Sequence, residues 1–158
     1  NSNLCIRVSM ERLAWQARYR GTDWRTGAGW IEELVEGLVT TLARVGKINL
    51  DLMDLRAIVQ HQGGSTMLVG TGHHDQLENL YNATVKAPLA PMNVAGAKGC
   101  LLQIEGGMGL TIGQVDEIAT ALTSAVDSNA QVILGARVSP ELEGTIRIVM
   151  LLSGITER

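Results

Sequence analysis

Gly99-Cys100-Leu101-Leu102-Gln103-Ile104-Glu105-Gly106-Gly107-Met108-Gly109-Leu110-Thr111-Ile112-Gly113-Gln114 passes from an apolar strand-forming run, through clustered glycines, into the start of a helix. Thr111 and Gln114 stand three apart, the spacing at which each side chain can accept the other's backbone amide and open a helix. Ile112, Val115, Ile118, Ala119, Leu122 and Val126 follow at three- and four-residue intervals, which predicts one apolar helical face. A glycine link running into a helix N-terminus is a place where phosphates bind. Here the Lys-Ser/Thr of a phosphate loop and the spacing of a dinucleotide fingerprint are both missing, so Glu105 to Thr111 reads as a tight structural turn.

Outward from this unit the same alternation continues. Downstream, 131–138 and 145–152 are rich in Val, Ile and Leu and read as strands joined through Pro140 and Gly144. Upstream, a helix over about 75–86 stops at Ala87-Pro88, because proline disfavours helical geometry in the residue before it. Met67-Leu68-Val69 is a buried-strand signal, and a short helix over about 52–60 turns Leu55, Ile58 and Val59 inward before Gly63-Gly64 ends it. Ile31, Leu34, Val35, Leu38, Val39 and Leu42 form one helical stripe opposite Glu32, Glu33 and Glu36, running from near Gly29 to before Gly46. The predicted fold class is α/β, in the two-layer α+β sense: a small mixed four-stranded sheet packed by helices and preceded by a long central helix.

Composition bounds the partners. The 158 residues are 46% hydrophobic and 18% charged, enough apolar material for one domain with a sizeable core. A net charge of −3 and a pI near 5.6 give no global attraction to nucleic acid or to an anionic membrane. Cys5 and Cys100 are too few for a disulfide framework and read as plain thiols of a reducing compartment. No run approaches the roughly 18 apolar residues of a membrane helix, and Asn1-Ser2-Asn3 does not open a signal peptide, so a soluble cytosolic protein is expected. Trp15, Tyr19, Trp24 and Trp30 are mixed with Arg7, Arg12, Arg18, Arg20 and Arg25. Single-stranded nucleic-acid grooves and protein interfaces both use that mixture, and the acidic total favours an interface.

The chemistry-bearing stretch is Lys47-Ile48-Asn49-Leu50-Asp51-Leu52-Met53-Asp54-Leu55-Arg56. Asp51 and Asp54 would lie over the first turn of a helix, where free amides and the helix dipole favour negative charge. An N-cap and a first-turn acid need no function to explain them. His73-His74-Asp75 has ligand chemistry, but adjacent histidines on a regular strand or helix point apart, and a solvated turn without metal is expected. Ser65 and Ser153 lack any nucleophile-elbow or triad context.

Several segments, in order, resemble the prokaryotic tubulin-like cell-division GTPase family FtsZ. They are Ile48 to Arg56, then Gly63-Gly64-Ser65-Thr66-Met67-Leu68-Val69-Gly70-Thr71-Gly72, Gly96-Ala97-Lys98-Gly99, the Glu105-Gly106-Gly107 link to Leu110-Thr111, Asp127-Ser128-Asn129-Ala130 and Val132-Ile133-Leu134-Gly135-Ala136. The resemblance runs from about Ile31 to Ile155, and its most specific part is Asn-x-Asp-x-x-Asp followed by the Gly-Gly-Ser strand.

The resemblance implies a chain in three parts: 1–27, packing on a nucleotide-binding subdomain that is not represented; 28–46, the central helix; and 47–158, the synergy loop and the C-terminal GTPase-activating subdomain. The family's Gly-Gly-Gly-Thr-Gly-Thr-Gly nucleotide loop has no match, so this chain alone is expected to be inactive. In the family, GTP sits on one subunit and the next subunit's loop completes the site. The resemblance therefore assigns catalysis to Asp51, Asp54 and Asn49 and guanine contacts to Trp24 and Asn1, and it assigns no metal-ligating residues. The family carries Phe where Trp24 aligns. Implied cofactors are GTP as substrate and a magnesium or potassium ion at the subunit interface. Implied partners are the protein itself in a head-to-tail polymer, GTP and GDP, and accessory and membrane-anchor proteins reached through a tail, with no nucleic acid and no membrane insertion. The implied location is the cytoplasmic division site. Two alternatives stand beside this: a nonenzymatic protein-binding α/β module, and a tubulin-like polymer with a cytoskeletal role other than division.

Overall fold

The computed structural model describes residues 48–85 and 93–156, together with positions 9–11, 14, 18, 29, 32, 35, 36 and 39. Positions 29, 32, 35, 36 and 39 are helical, within the segment expected to be the central helix. Trp24 and Asn1 lie outside the described residues.

From Ile48 onward the element order is α1 (Leu52–Val59), β1 (Gly64–His73), α2 (Leu77–Val85), β2 (Gly99–Gly106), α3 (Ile112–Thr123), β3 (Gln131–Val138), a 3-10 turn (Pro140–Leu142) and β4 (Thr145–Ile155). The four strands form one sheet in the order β1-β4-β2-β3. β2 and β3 are parallel, the geometry a strand-helix-strand crossover through α3 requires. β4 enters antiparallel between β1 and β2, which makes the sheet mixed.

Side-chain alternation along the strands separates the two faces. Cys100, Leu102 and Ile104 of β2 join Ile146, Ile148, Met150 and Leu152 of β4 beneath Leu80 of α2 and Val115, Ile118 and Leu122 of α3. On the opposite face Leu101 and Leu151 pack with Ile58 of α1 and with Leu50. α2 and α3 therefore cover one face, and α1 covers part of the other. All eight residues of β2 are buried, as expected of a strand flanked on both sides and packed above and below.

β1 is longer than the apolar run Met67-Leu68-Val69 suggested. The glycines Gly64, Gly70 and Gly72 have little strand propensity of their own, but Thr66 to His73 pair residue by residue with β4, the most apolar strand, after a register shift between Gly64 and Thr66. Gly70 also makes room for α2: a Cβ there would lie 1.9 Å from Thr84 Oγ1, whose hydroxyl donates to the Leu80 carbonyl at 2.8 Å. α3 starts as its sequence requires, with Thr111 as N-cap and the reciprocal Thr111–Gln114 bonds in place. Ile112, expected on the inner face, is instead 58% exposed. It is the first residue after the cap, before the helix has settled onto the sheet. None of the described helices is long and apolar enough to cross a membrane.

Candidate functional site

The acid pair is built from backbone outward. Ile48 makes an isolated antiparallel bridge to Ala136 on β3, donating to its carbonyl at 3.0 Å and accepting from its amide at 2.9 Å. Since β3 is an edge strand, this bridge ties the incoming chain to the free edge of the sheet. Two residues on, Leu50 is buried and packs above Gly135, where a Cβ would lie only 2.6 Å from Leu50 Cγ. Only a glycine at 135 lets the leucine approach that closely.

Asp51 then leaves the sheet with φ −126° and ψ 177° and caps α1. The Asp51 carboxylate accepts the Asp54 amide through Oδ1 at 2.9 Å, and the Asp54 carboxylate accepts the Asp51 amide through Oδ2 at 2.9 Å. This is a capping box with Asp in the acid position, so the structural reading of the pair as a cap is correct. The cap uses one oxygen of each carboxylate, Oδ1 of Asp51 and Oδ2 of Asp54. Asp51 is exposed and Asp54 half-buried. Asn49, also exposed, lies between the bridge and the Leu50 anchor. Two carboxylates held by reciprocal cap bonds, one of them exposed, can hold a cation or orient a water molecule. Leu52 and Met53, between the two acids, are 70% and 66% exposed, an apolar rim beside the charges.

The Glu105–Thr111 link does turn tightly, but Glu105 itself is not part of a loop. It is the penultimate residue of β2 and is buried, facing Arg137 across the parallel pair and Arg147 across the antiparallel one. Its Oε1 accepts from the Arg137 guanidinium and from the Ser139 hydroxyl, and Arg147 lies 4.0 Å from Oε2. Nothing in the local sequence signals this cluster, because it exists only once the strand order is known. Cys100 is inert as a nucleophile: burial pushes its thiol up to about 12.

A mixed β1-β4-β2-β3 sheet with helices on both faces, entered from an acid-bearing loop pinned to its edge strand, defines the C-terminal subdomain of tubulin-like proteins. The chain belongs to the FtsZ family, and residues 63–156 match the family model described as the FtsZ family, C-terminal domain. It is 34% identical to cell division protein FtsZ 2 of Methanocaldococcus jannaschii, over 79% of this chain and 34% of that protein. It is 33% identical to cell division protein FtsZ of Caulobacter vibrioides, over 98% of this chain and 30% of that protein. Among solved structures, the empty FtsZ dimer of M. jannaschii superposes with a TM-score of 0.69 and 28% identity, covering 76% of this chain and 35% of that one. The chain thus spans about a third of the length of the relatives it matches.

Proposed function

We propose that this chain is the catalysis-completing part of a self-assembling GTPase that forms filaments at the cell-division site, and that Asp51, Asp54 and Asn49 act on GTP held by the adjacent subunit. The observation that carries the reading is the acid pair. Each carboxylate uses one oxygen to hold its own loop, with Asp51 exposed and Asp54 half-buried, on a segment with no phosphate-gripping loop of its own. Acids fixed in this way suit a reaction partner brought from outside.

Phosphoryl transfer needs positioning and charge stabilisation more than covalent help from the protein. The two carboxylates orient and polarise the attacking water, directly or through a magnesium or potassium ion at the interface. Asn49 sets the loop against the nucleotide. The polymer is head-to-tail, so hydrolysis is coupled to assembly and the isolated chain is inactive. Self-association is in keeping with the dimer in which a related protein was solved. Trp24 and Asn1 are the proposed guanine contacts on this chain, segment 1–27 packs against the nucleotide-binding subdomain, and 28–46 is the central helix joining the two. Accessory and membrane-anchor proteins bind elsewhere on the full-length protein, in the cytoplasm.

Asparagine caps a helix as well as aspartate does, so Asp51→Asn in the full-length protein keeps the acceptor for the Asp54 amide and removes the charge. The expected result is a turnover loss of about a hundredfold or more at unchanged nucleotide affinity and unchanged filament mass. Normal turnover in Asp51→Asn filaments would refute the assignment.

A further inference from the structure

On the opposite edge of the sheet from the acid loop, β1 ends in His73-His74-Asp75. The rule that neighbouring side chains point apart on a strand fails here, because the chain turns at His74 and Asp75. The two imidazoles stack instead, with ring centroids 4.7 Å apart and planes 29° from parallel. Asp75 faces both: Oδ1 lies 2.9 Å from His74 Nδ1, and Oδ2 lies 3.6 Å from His73 Nδ1.

Backbone bonds hold the turn in this shape. The His74 amide donates to the Gly144 carbonyl at 3.0 Å, the Gln76 amide donates to the His73 carbonyl at 3.0 Å, and the Asp75 amide donates to His73 Nδ1 at 3.3 Å. His74 also lines a cleft of about 200 Å³ together with Gln114, Glu143 and Thr145. The three side chains remain open to solvent, at 53%, 44% and 68% exposure, so an ion can reach them without any opening of the fold.

We propose that His73, His74 and Asp75 form a surface site for a divalent transition-metal ion of the zinc class. One donor atom from each residue can be chosen so that all three lie within 4.8 Å of one another. Two donors on one tetrahedral zinc, each about 2.0–2.1 Å from the ion, sit about 3.4 Å apart. The three side chains sit on an exposed turn, where rotation can bring the donors closer. Imidazole nitrogen with one carboxylate oxygen is a donor set that selects zinc, cobalt or nickel over the all-oxygen shells of magnesium and calcium. Three protein donors leave a fourth position for water. The bound ion would tie the β1–α2 turn into one rigid unit.

The experiment is a Co²⁺ titration of the full chain, carrying Cys5→Ser so that the buried Cys100 is the one thiol left. Visible absorption reports coordination, followed by displacement with Zn²⁺ and a thermal melt with and without Zn²⁺. Expected are one ion per chain, displacement of Co²⁺ by Zn²⁺, a higher melting temperature with metal, and an affinity loss of about a hundredfold or more in His74→Ala and in Asp75→Asn. His61→Ala serves as the control and should leave binding unchanged. Retention of full affinity in the His73→Ala/His74→Ala double variant would overturn the proposal. So would the absence of a cobalt spectrum in a parent chain whose circular dichroism shows it folded.

Discussion

Gly135→Ala tests whether the acid loop is held by packing two residues before the acids themselves. A Cβ at position 135 would lie 2.6 and 2.7 Å from Leu50 Cγ and Cδ1, and 2.2 Å from Gln103 Oε1. Ordinary carbon–carbon contact is about 3.5–4.0 Å, so Leu50 must retreat by about 1 Å. Gln103 stands opposite Gly135 on the neighbouring strand and is itself buried, so its side chain has little room to move aside. Overpacking of this kind costs about 1–3 kcal/mol, which a denaturant titration of the isolated chain would resolve. Leu50 is adjacent to Asp51, so its displacement carries the cap with it. Misplacing a catalytic group by about 1 Å costs about a hundredfold in rate. In the full-length protein Gly135→Ala should therefore lower GTP turnover in filaments by about that factor at unchanged nucleotide affinity. The double variant Gly135→Ala/Leu50→Ala removes the colliding carbons, so its stability loss should be smaller than the sum of the two single losses. Turnover should stay low, because the anchor is gone. A Gly135→Ala protein that is destabilised yet turns over GTP normally would refute the claim that Leu50 sets the position of the acids.

Other outcomes follow from the same geometry. Thr111→Ala removes one half of the α3 capping box and should cost about 1 kcal/mol by chemical denaturation, with no effect on filament turnover. Glu105→Gln leaves Arg137 buried without its counter-charge and should cost about 3–5 kcal/mol in the same measurement. With its thiol pushed up to about 12, Cys100 carries almost no thiolate at pH 8 and gains it only as pH rises toward that value. Iodoacetamide should therefore leave it unmodified in the folded chain and label it after denaturation, as read by mass spectrometry. Leu52→Asp and Met53→Asp replace exposed side chains and should change the stability of the chain by less than about 0.5 kcal/mol, while lowering the yield of pelleted filaments from full-length protein.

The legible parts of the fold were those fixed by near neighbours. Thr111 with Gln114, and Asp51 with Asp54, are three-residue relationships, and both appear in the structure as reciprocal caps. The apolar periodicity of α3 and the β-branched runs of β3 and β4 are local in the same sense. What stayed hidden depends on pairing across the sheet. Gly70, Thr71 and Gly72 become strand only because Ile148, Arg147 and Ile146 stand opposite them. Glu105 reads as the start of a glycine link until β3 and β4 bring Arg137 and Arg147 to its sides. The histidine pair reads as divergent until the end of β1 turns the chain. For the acid loop, the residue types were visible but its rigidity was not, since the Ile48–Ala136 bridge and the Leu50–Gly135 contact join positions more than eighty residues apart.

That rigidity bears directly on the proposed mechanism. A carboxylate that must act on a neighbouring molecule has to be solvent-exposed before assembly, and exposed loop residues are normally the least ordered. Fixing one residue's backbone costs about 1–2 kcal/mol, a cost that would otherwise fall on the assembly step or on the transition state. Here it is met during folding of the subdomain. The bridge at Ile48 fixes the chain before the acids, Leu50 fixes it beside them, and the reciprocal Asp51–Asp54 bonds fix it at them. Under the proposed function, a neighbour arriving with bound nucleotide would meet carboxylates whose positions are already set. Under the proposed function the isolated chain would be silent because the triphosphate would lie on another subunit, not because its own acids are out of place.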